Sequence, residues 1–204
     1  MMTDDSRYTT IEAATTGDFR DRGSKFLAYA YPVHTASDVK ERMHILKKEH
    51  PKAVHHCYAY RLGNDGNQYR ANDDGEPSGS AVKPILGQID SMGLTNVLVV
   101  VVRYFGGTLL GVPGLINAYK TATAQALESA VKTKKWIEDI FEINFDYPAM
   151  GEVLYLLKRA EATIYKQDLQ LFCTVNAGIP RVHSNDYRLR LSQIRGVNLT
   201  SVED

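Results

Sequence analysis

The chain has 204 residues, 44% of them hydrophobic and 24% charged, with 24 basic and 24 acidic side chains and a formal net charge of zero. Such a composition excludes a largely disordered chain, and balanced charge excludes a protein that coats nucleic acid or an anionic membrane by bulk positive charge. The longest apolar run, Val97 to Val102, is far short of the roughly 20 residues a membrane helix needs.

The start, Met1-Met2-Thr3-Asp4-Asp5, is acidic and has no apolar signal core. Cys57 and Cys173 fit neither a disulfide framework nor a zinc spacing, so a soluble cytoplasmic protein is expected. Lys25 to Val33 reads as a strand, and Val39, Met43 and Leu46 mark a helix that ends near His50-Pro51. Val54 to Leu62 is a second strand, joined through the turn chemistry of Gly63-Asn64-Asp65-Gly66 to Asn67–Ala71. Val82, Ile85, Leu86, Ile89 and Met92 are spaced for a helix, with Pro84 in its first turn and Gly93 at its end. Asn96 to Arg103 predicts a strand buried on both faces. Pro113 then opens a helix whose inward face carries Leu115, Tyr119, Ala122, Ala126 and Ala130.

A change of character at Lys132-Thr133-Lys134-Lys135 places a domain boundary between residues 1–135 and 136–204. The first part carries 17 basic and 14 acidic groups and the second 7 and 10, imbalances too mild to dictate a partner. Phe141, Ile143, Phe145 and Tyr147 alternate as in a half-buried strand, and Met150, Val153, Leu154 and Leu157 follow helical spacing. Ala162 to Lys166 reads as a short strand and Leu169, Leu171, Cys173 and Val175 as the next, with a turn around Gln167-Asp168. Gly178 and Pro180 are expected to break that strand. Ser184 or Asn185 is placed to cap a helix carrying Tyr187, Leu191 and Ile194 inward. Gly196 stops it before a last strand, Val197 to Val202. The order β-α-β-β-α-β is the ferredoxin-like arrangement, giving an α+β chain with both helices of this domain on one face of its sheet.

Two segments carry candidate chemistry. In Asp73-Asp74-Gly75-Glu76-Pro77-Ser78-Gly79-Ser80-Ala81, three carboxylates within four residues repel one another unless they are solvated, bound to a cation, or facing helix N-terminal amides. Asp73, Asp74 and Glu76 are therefore candidates for holding a magnesium ion or a basic partner, or for an ordinary helix start. In Arg103-Tyr104-Phe105-Gly106-Gly107, followed by Gly111 and Gly114, a buried strand ends in a cation and glycines before a helix. Glycine amides and a helix start favour anions, with Arg103 as a bidentate phosphate contact, or else the glycines serve tight turns and close packing. The spacing matches neither the P-loop nor the dinucleotide fingerprint. His55 and His56 point to opposite strand faces and cannot share a metal. Cys57 reads as a buried structural thiol rather than a nucleophile, and Tyr58 and Tyr60 as packing on the face of His56.

The runs Arg22-Gly23-Ser24-Lys25-Phe26, His55-His56-Cys57, Asp73 to Ala81 and Val101 to Gly107, continued by Gly111 and Leu115 to Tyr119, resemble the YigZ/IMPACT family over residues 18–130. One family-typical Gly-Gly-Leu stands here as Pro113-Gly114-Leu115. The resemblance implies a first domain folded like ribosomal protein S5 domain 2. It implies a ferredoxin-like second domain similar to the last domain of elongation factor G. Eukaryotic relatives regulate translation through an additional domain for which this chain has no room.

The expectation is a non-enzymatic, translation-associated protein that binds RNA, the ribosome or a translation-factor surface. Arg103, Tyr104, Lys83 and the Gly106-Gly107 turn would face the polyanion, and Asp73, Asp74 and Glu76 would orient basic groups or magnesium at the same edge. The alternative is a magnesium-dependent hydrolase or transferase acting on a phosphorylated small molecule; an adaptor working through the C-terminal sheet is a third reading. All rest on the acidic turn and the glycine-flanked arginine converging in a water-accessible pocket.

Overall fold

A computed structural model describes residues 6–202, so the acidic start Met1–Asp5 lies outside the described residues. The chain divides into two compact units between Lys135 and Trp136, and Ser6 and Arg7 group with the second unit rather than the first.

The first unit is built on a five-stranded antiparallel sheet. Its strands are β2 (Thr15–Asp21), β3 (Ser24–Pro32), β4 (His55–Leu62), β5 (Gln68–Asn72) and β6 (Val97–Tyr104), in the spatial order β2-β3-β6-β4-β5. A further strand, β1 (Arg7–Ile11), pairs instead with β7 (Lys132–Trp136) in a two-stranded sheet. The central strand β6 is covered on both sides, as its unbroken apolar run requires. On one face Val97, Val99 and Val101 pack with Phe26, Cys57 and Ala59 under α2 (Val82–Ser91) and α3 (Gly111–Glu128). On the other, Leu98, Val100 and Val102 meet Val39 and Leu46 of α1 (Ala36–Glu49), with Tyr58 and Tyr60 stacked beside them. Thr35 and Asp38 close a reciprocal cap on α1.

The second unit has β8 (Glu138–Asp146), α4 (Met150–Arg159) after a 3₁₀ turn, β9 (Thr163–Leu169), β10 (Phe172–Pro180), α5 (Arg181–Ser192) and β11 (Val197–Ser201). The antiparallel sheet order β11-β8-β10-β9 completes the split β-α-β-β-α-β arrangement. Val153, Leu157 and Leu191 of the two helices share one core with Phe141, Ile143, Phe145, Cys173, Val175 and Ala177 of the strands.

Three expectations in this unit are corrected. The turn lies after Leu169, not at Gln167-Asp168, because Leu169 pairs across the hairpin with Cys173 instead of preceding it on one strand. Gly178 and Pro180 do not break β10. Gly178 sits inside the ladder because the Glu138 carboxylate and the Tyr165 ring cross over it, where a Cβ would lie 2.1 and 2.9 Å from them. Neither Ser184 nor Asn185 caps α5, which has already begun at Arg181, leaving Ser184 buried inside its second turn.

Candidate functional site

The acidic turn leads out of β5 and β6 runs into the glycine loop, and the fold brings the two together beside β4 and α3. The three carboxylates go to three different places. Asp73 turns onto the start of α2: its Oδ1 accepts from the amides of Ala81 (3.1 Å) and Val82 (2.9 Å), and its Oδ2 from Gly79 (2.7 Å). It thus supplies the cap that the residue at the helix boundary, Ala81, lacks. Asp74 adopts a left-handed φ of 46°, accepts the His56 amide on Oδ2 at 2.7 Å, and presents its carbonyl to His55 Nδ1 at 2.7 Å. That contact puts the proton on Nδ1 and leaves His55 Nε2 turned toward Glu76 Oε1, 3.9 Å away.

Glu76 points inward. Its Oε1 accepts from Arg103 Nη1 at 2.6 Å and from the Tyr119 hydroxyl at 2.8 Å. Arg103 and Glu76 are only 6% and 8% exposed, so this is a buried ion pair, and the guanidinium also lies 5.5 Å from the Phe26 ring and 5.7 Å from Phe105. The cation that neutralises this part of the acidic turn is the protein's own arginine.

The convergence is real, but the pair is sealed from bulk water, which corrects the expected open pocket. Asp73 is taken up by amides and Glu76 by Arg103, so the carboxylates do not meet at one point. Among the described residues no group of three or more His, Cys, Asp or Glu side chains is arranged to hold a metal ion.

Tyr119, read from the sequence only as core, completes the network. Its hydroxyl lies 3.3 Å from Cys57 Sγ, which also reaches the Asp73 carbonyl at 3.0 Å. Burial first, then the neighbouring Cys57 and Glu76, raises the Tyr119 pKa far above the ordinary phenol range. Burial likewise pushes the Cys57 thiol up to about 12, so neither group is an available nucleophile at neutral pH.

Tyr104 does not join this cluster. As the next residue along β6 it faces the α1 layer, where its hydroxyl meets His50 Nδ1 at 2.9 Å and His50 Nε2 meets the Tyr29 hydroxyl at 2.7 Å. Arg103 and Tyr104 therefore cannot grip one ligand, a correction to the expected polyanion face. Lys83 is exposed on the first turn of α2 and makes no ion pair with the acidic turn among the described residues.

Gly106 is a packing glycine. A Cβ there would lie 2.0 Å from the Gly23 backbone and 2.2 Å from that of Ser24, and its amide is engaged by Ser24 Oγ at 3.1 Å. Gly107 is different, with φ 87° and open space around it. Beyond them the surface is apolar: Phe105 is 47% exposed and Leu109 81%, and Val112 and Ile116 on α3 also face water.

The motif order and this fold have counterparts among known proteins. Residues 22–127 match the model of the Impact N-terminal domain, more than half the chain. The chain belongs to the IMPACT family. It is 31% identical over 185 residues to IMPACT family member YigZ of Escherichia coli K12, covering 89% of this chain and 91% of that protein. It is 34% identical over 170 residues to an IMPACT family member of Haemophilus influenzae, covering 81% of each. A solved structure titled only as a hypothetical protein superposes over 100% of both chains with a TM-score of 0.75 and 28% identity. The two-domain translational regulator Yih1 matches 64% of this chain and 52% of its own at 28% identity, with a TM-score of 0.39, too low to relate the two folds.

Proposed function

We propose that this IMPACT family member is a non-enzymatic binding protein of the translation apparatus, and that it docks through the glycine loop and the start of α3 onto a ribosomal or translation-factor surface. The translation assignment is what the family resemblance implies for its members. The choice of a protein surface over bare RNA rests on one observation. Arg103 is held by Glu76 inside the unit and Asp73 by the amides at the start of α2, while Phe105, Leu109, Val112 and Ile116 stand exposed outside it. A polyanion site needs free cations, and Arg103 is not free.

The test is co-sedimentation with ribosomes and capture of purified translation factors. Leu109→Asp and Phe105→Asp are expected to weaken retention about tenfold or more, as loss of a central apolar anchor does. Retention unchanged by both variants refutes this docking face. Filter binding with structured and single-stranded RNA is the second arm: binding abolished by Lys83→Ala yet insensitive to Leu109→Asp returns the reading to RNA. A magnesium-dependent hydrolase would require Asp73 and Glu76 to leave the amides and the arginine they hold. Phosphatase activity lost in Asp74→Ala and Arg103→Ala would establish that alternative.

A further inference from the structure

We propose that the apolar surface at the glycine loop and the start of α3 takes an amphipathic helix whose apolar anchors are flanked by acidic side chains. The inference rests on the docking reading above and names the chemistry of the partner. From Tyr104 to Tyr119 the chain contains no charged side chain, although Phe105, Leu109, Val112 and Ile116 within that stretch are all exposed. Charge therefore enters only around this surface, and its sign selects what fits.

Three cations stand around it. Lys120 lies on α3 one turn beyond Ile116, so Val112, Ile116 and Lys120 form one stripe at i, i+4 and i+8. Lys83 is on the first turn of α2 with its side chain over Gly79, where a Cβ would lie 3.1 Å from Lys83 Cε. Arg22 is on the β2–β3 turn, next to Gly23, whose backbone touches Gly106. The two helices start at the same end of the sheet. Asp73 holds the start of α2, Glu76 of the same turn meets Arg103 near the end of β6, and α3 begins just beyond the glycine loop. All three cations are exposed, and none makes an ion pair among the described residues.

The acids of these elements are engaged elsewhere. Asp73 accepts from the amides at the start of α2, Glu76 from Arg103, and Asp74 from the His56 amide. Asp90, on α2, accepts from Arg61. Asp21, next to Arg22, is the acid left over, so the surround keeps an excess of positive charge that matches acidic flanks on a partner.

Geometry selects a helix over an extended strand. The loop leaves β6, the central strand of its sheet, which has no free edge to which a strand could be added. The stripe from Val112 to Lys120 runs about 12 Å along α3, the reach of anchors at i, i+4 and i+7 on a docked helix. A nucleic acid strand would instead need its cations joined in a groove that follows the phosphates, and here apolar side chains separate them.

The experiment is fluorescence anisotropy of the full chain with a short designed helical peptide carrying leucine at i, i+4 and i+7 and glutamates beside them. The controls are the same peptide with lysines in place of the glutamates, the same composition with the leucines scrambled, and a polyuridine oligonucleotide. The acidic peptide is expected to bind, the lysine peptide about tenfold or more weakly, and the scrambled one not at all. Lys83→Glu combined with Lys120→Glu should weaken the acidic peptide about tenfold, chiefly through slower association that salt also slows. Leu109→Asp should abolish binding. These positions are exposed, so the variants should keep the thermal unfolding midpoint of the parent chain. Equal affinity for the acidic and lysine peptides, or indifference to the double charge reversal, refutes the acidic partner. Failure of every peptide to bind, with ribosome retention still lost in Leu109→Asp, refutes the helical partner and leaves the docking face standing. Retention indifferent to both Leu109→Asp and Phe105→Asp refutes the docking face itself. Polyuridine binding more tightly than the acidic peptide, and lost on the double charge reversal, refutes a protein partner in favour of RNA.

Discussion

Two consecutive residues of β6 end in opposite layers and in opposite kinds of polar network. Arg103 enters the α2–α3 side as a full charge, held by Glu76 and bracketed by Phe26 and Phe105. Tyr104 enters the α1 side as a hydroxyl, in a Tyr29–His50–Tyr104 chain that needs no net charge to be satisfied. In the first network each partner's removal strands a buried ion. In the second it leaves a neutral group short of one bond. Similar contact lengths therefore carry different stakes.

Deleting one partner on the charged side should have the largest effect. Glu76→Ala is expected to lower stability by about 3–5 kcal/mol, the usual cost of isolating a buried charge, whereas replacing Glu76 and Arg103 together by methionine recovers most of it. Urea unfolding of the three proteins measures this, and a Glu76→Ala loss below that of Tyr104→Phe would erase the contrast. Tyr104→Phe itself should cost about 1 kcal/mol, that of one net hydrogen bond.

A smaller effect is expected on acidification. Burial, with Lys47 and His50 nearby, holds His56 below its ordinary pKa although Asp74 pulls the other way. The folded protein then binds fewer protons here than the unfolded chain. Stability from this group is complete above the ordinary histidine value and lost as pH falls through the folded value. His56→Gln should flatten that slope between pH 7 and 5 in urea titrations; a parallel slope would assign the loss elsewhere. The smallest effect is a non-event: Cys57, with its thiol at about 12, should resist alkylation at pH 8 in the folded protein and react only on unfolding. Rapid modification of native protein would mean that the network opens.

The sequence showed the covered elements best. Helices α1, α2 and α3 announce themselves because packing on one face imposes a period on them, and the central strand β6 because cover on both faces leaves an unbroken apolar run. The strands it did not reveal are β1, β2 and β7. The last is Lys132–Trp136, charged along most of its length, and β2 contains Gly17 and Asp18 without an apolar alternation. Gly17 is there because α3 lies against it, with Ala122 O and Ala126 N 2.5 and 2.7 Å from where a Cβ would be. That reason is tertiary and leaves no local pattern. At the site, the sequence brings the acidic turn and Arg103 to one place but does not pair them: Arg103 reads there as a phosphate contact, and nothing local aims Glu76 inward to meet it. Strand alternation would have separated Tyr104 from Arg103. The signal for Tyr119 was a phenol among alanines on the inward face of α3, whose hydroxyl must find a partner when buried.

The contact of Gly106 with Gly23 and Ser24 has a further consequence. Backbone touching backbone leaves no side-chain slack between the β2–β3 turn and the segment that follows β6, so Phe105 and the residues beyond Gly106 rise from a braced footing. A partner arriving at that ledge meets a shape already set, and little of the binding energy is lost to freezing it. Lengthening the β2–β3 turn by one residue would remove the brace and should show first as a weaker grip, with the rest of the molecule still intact.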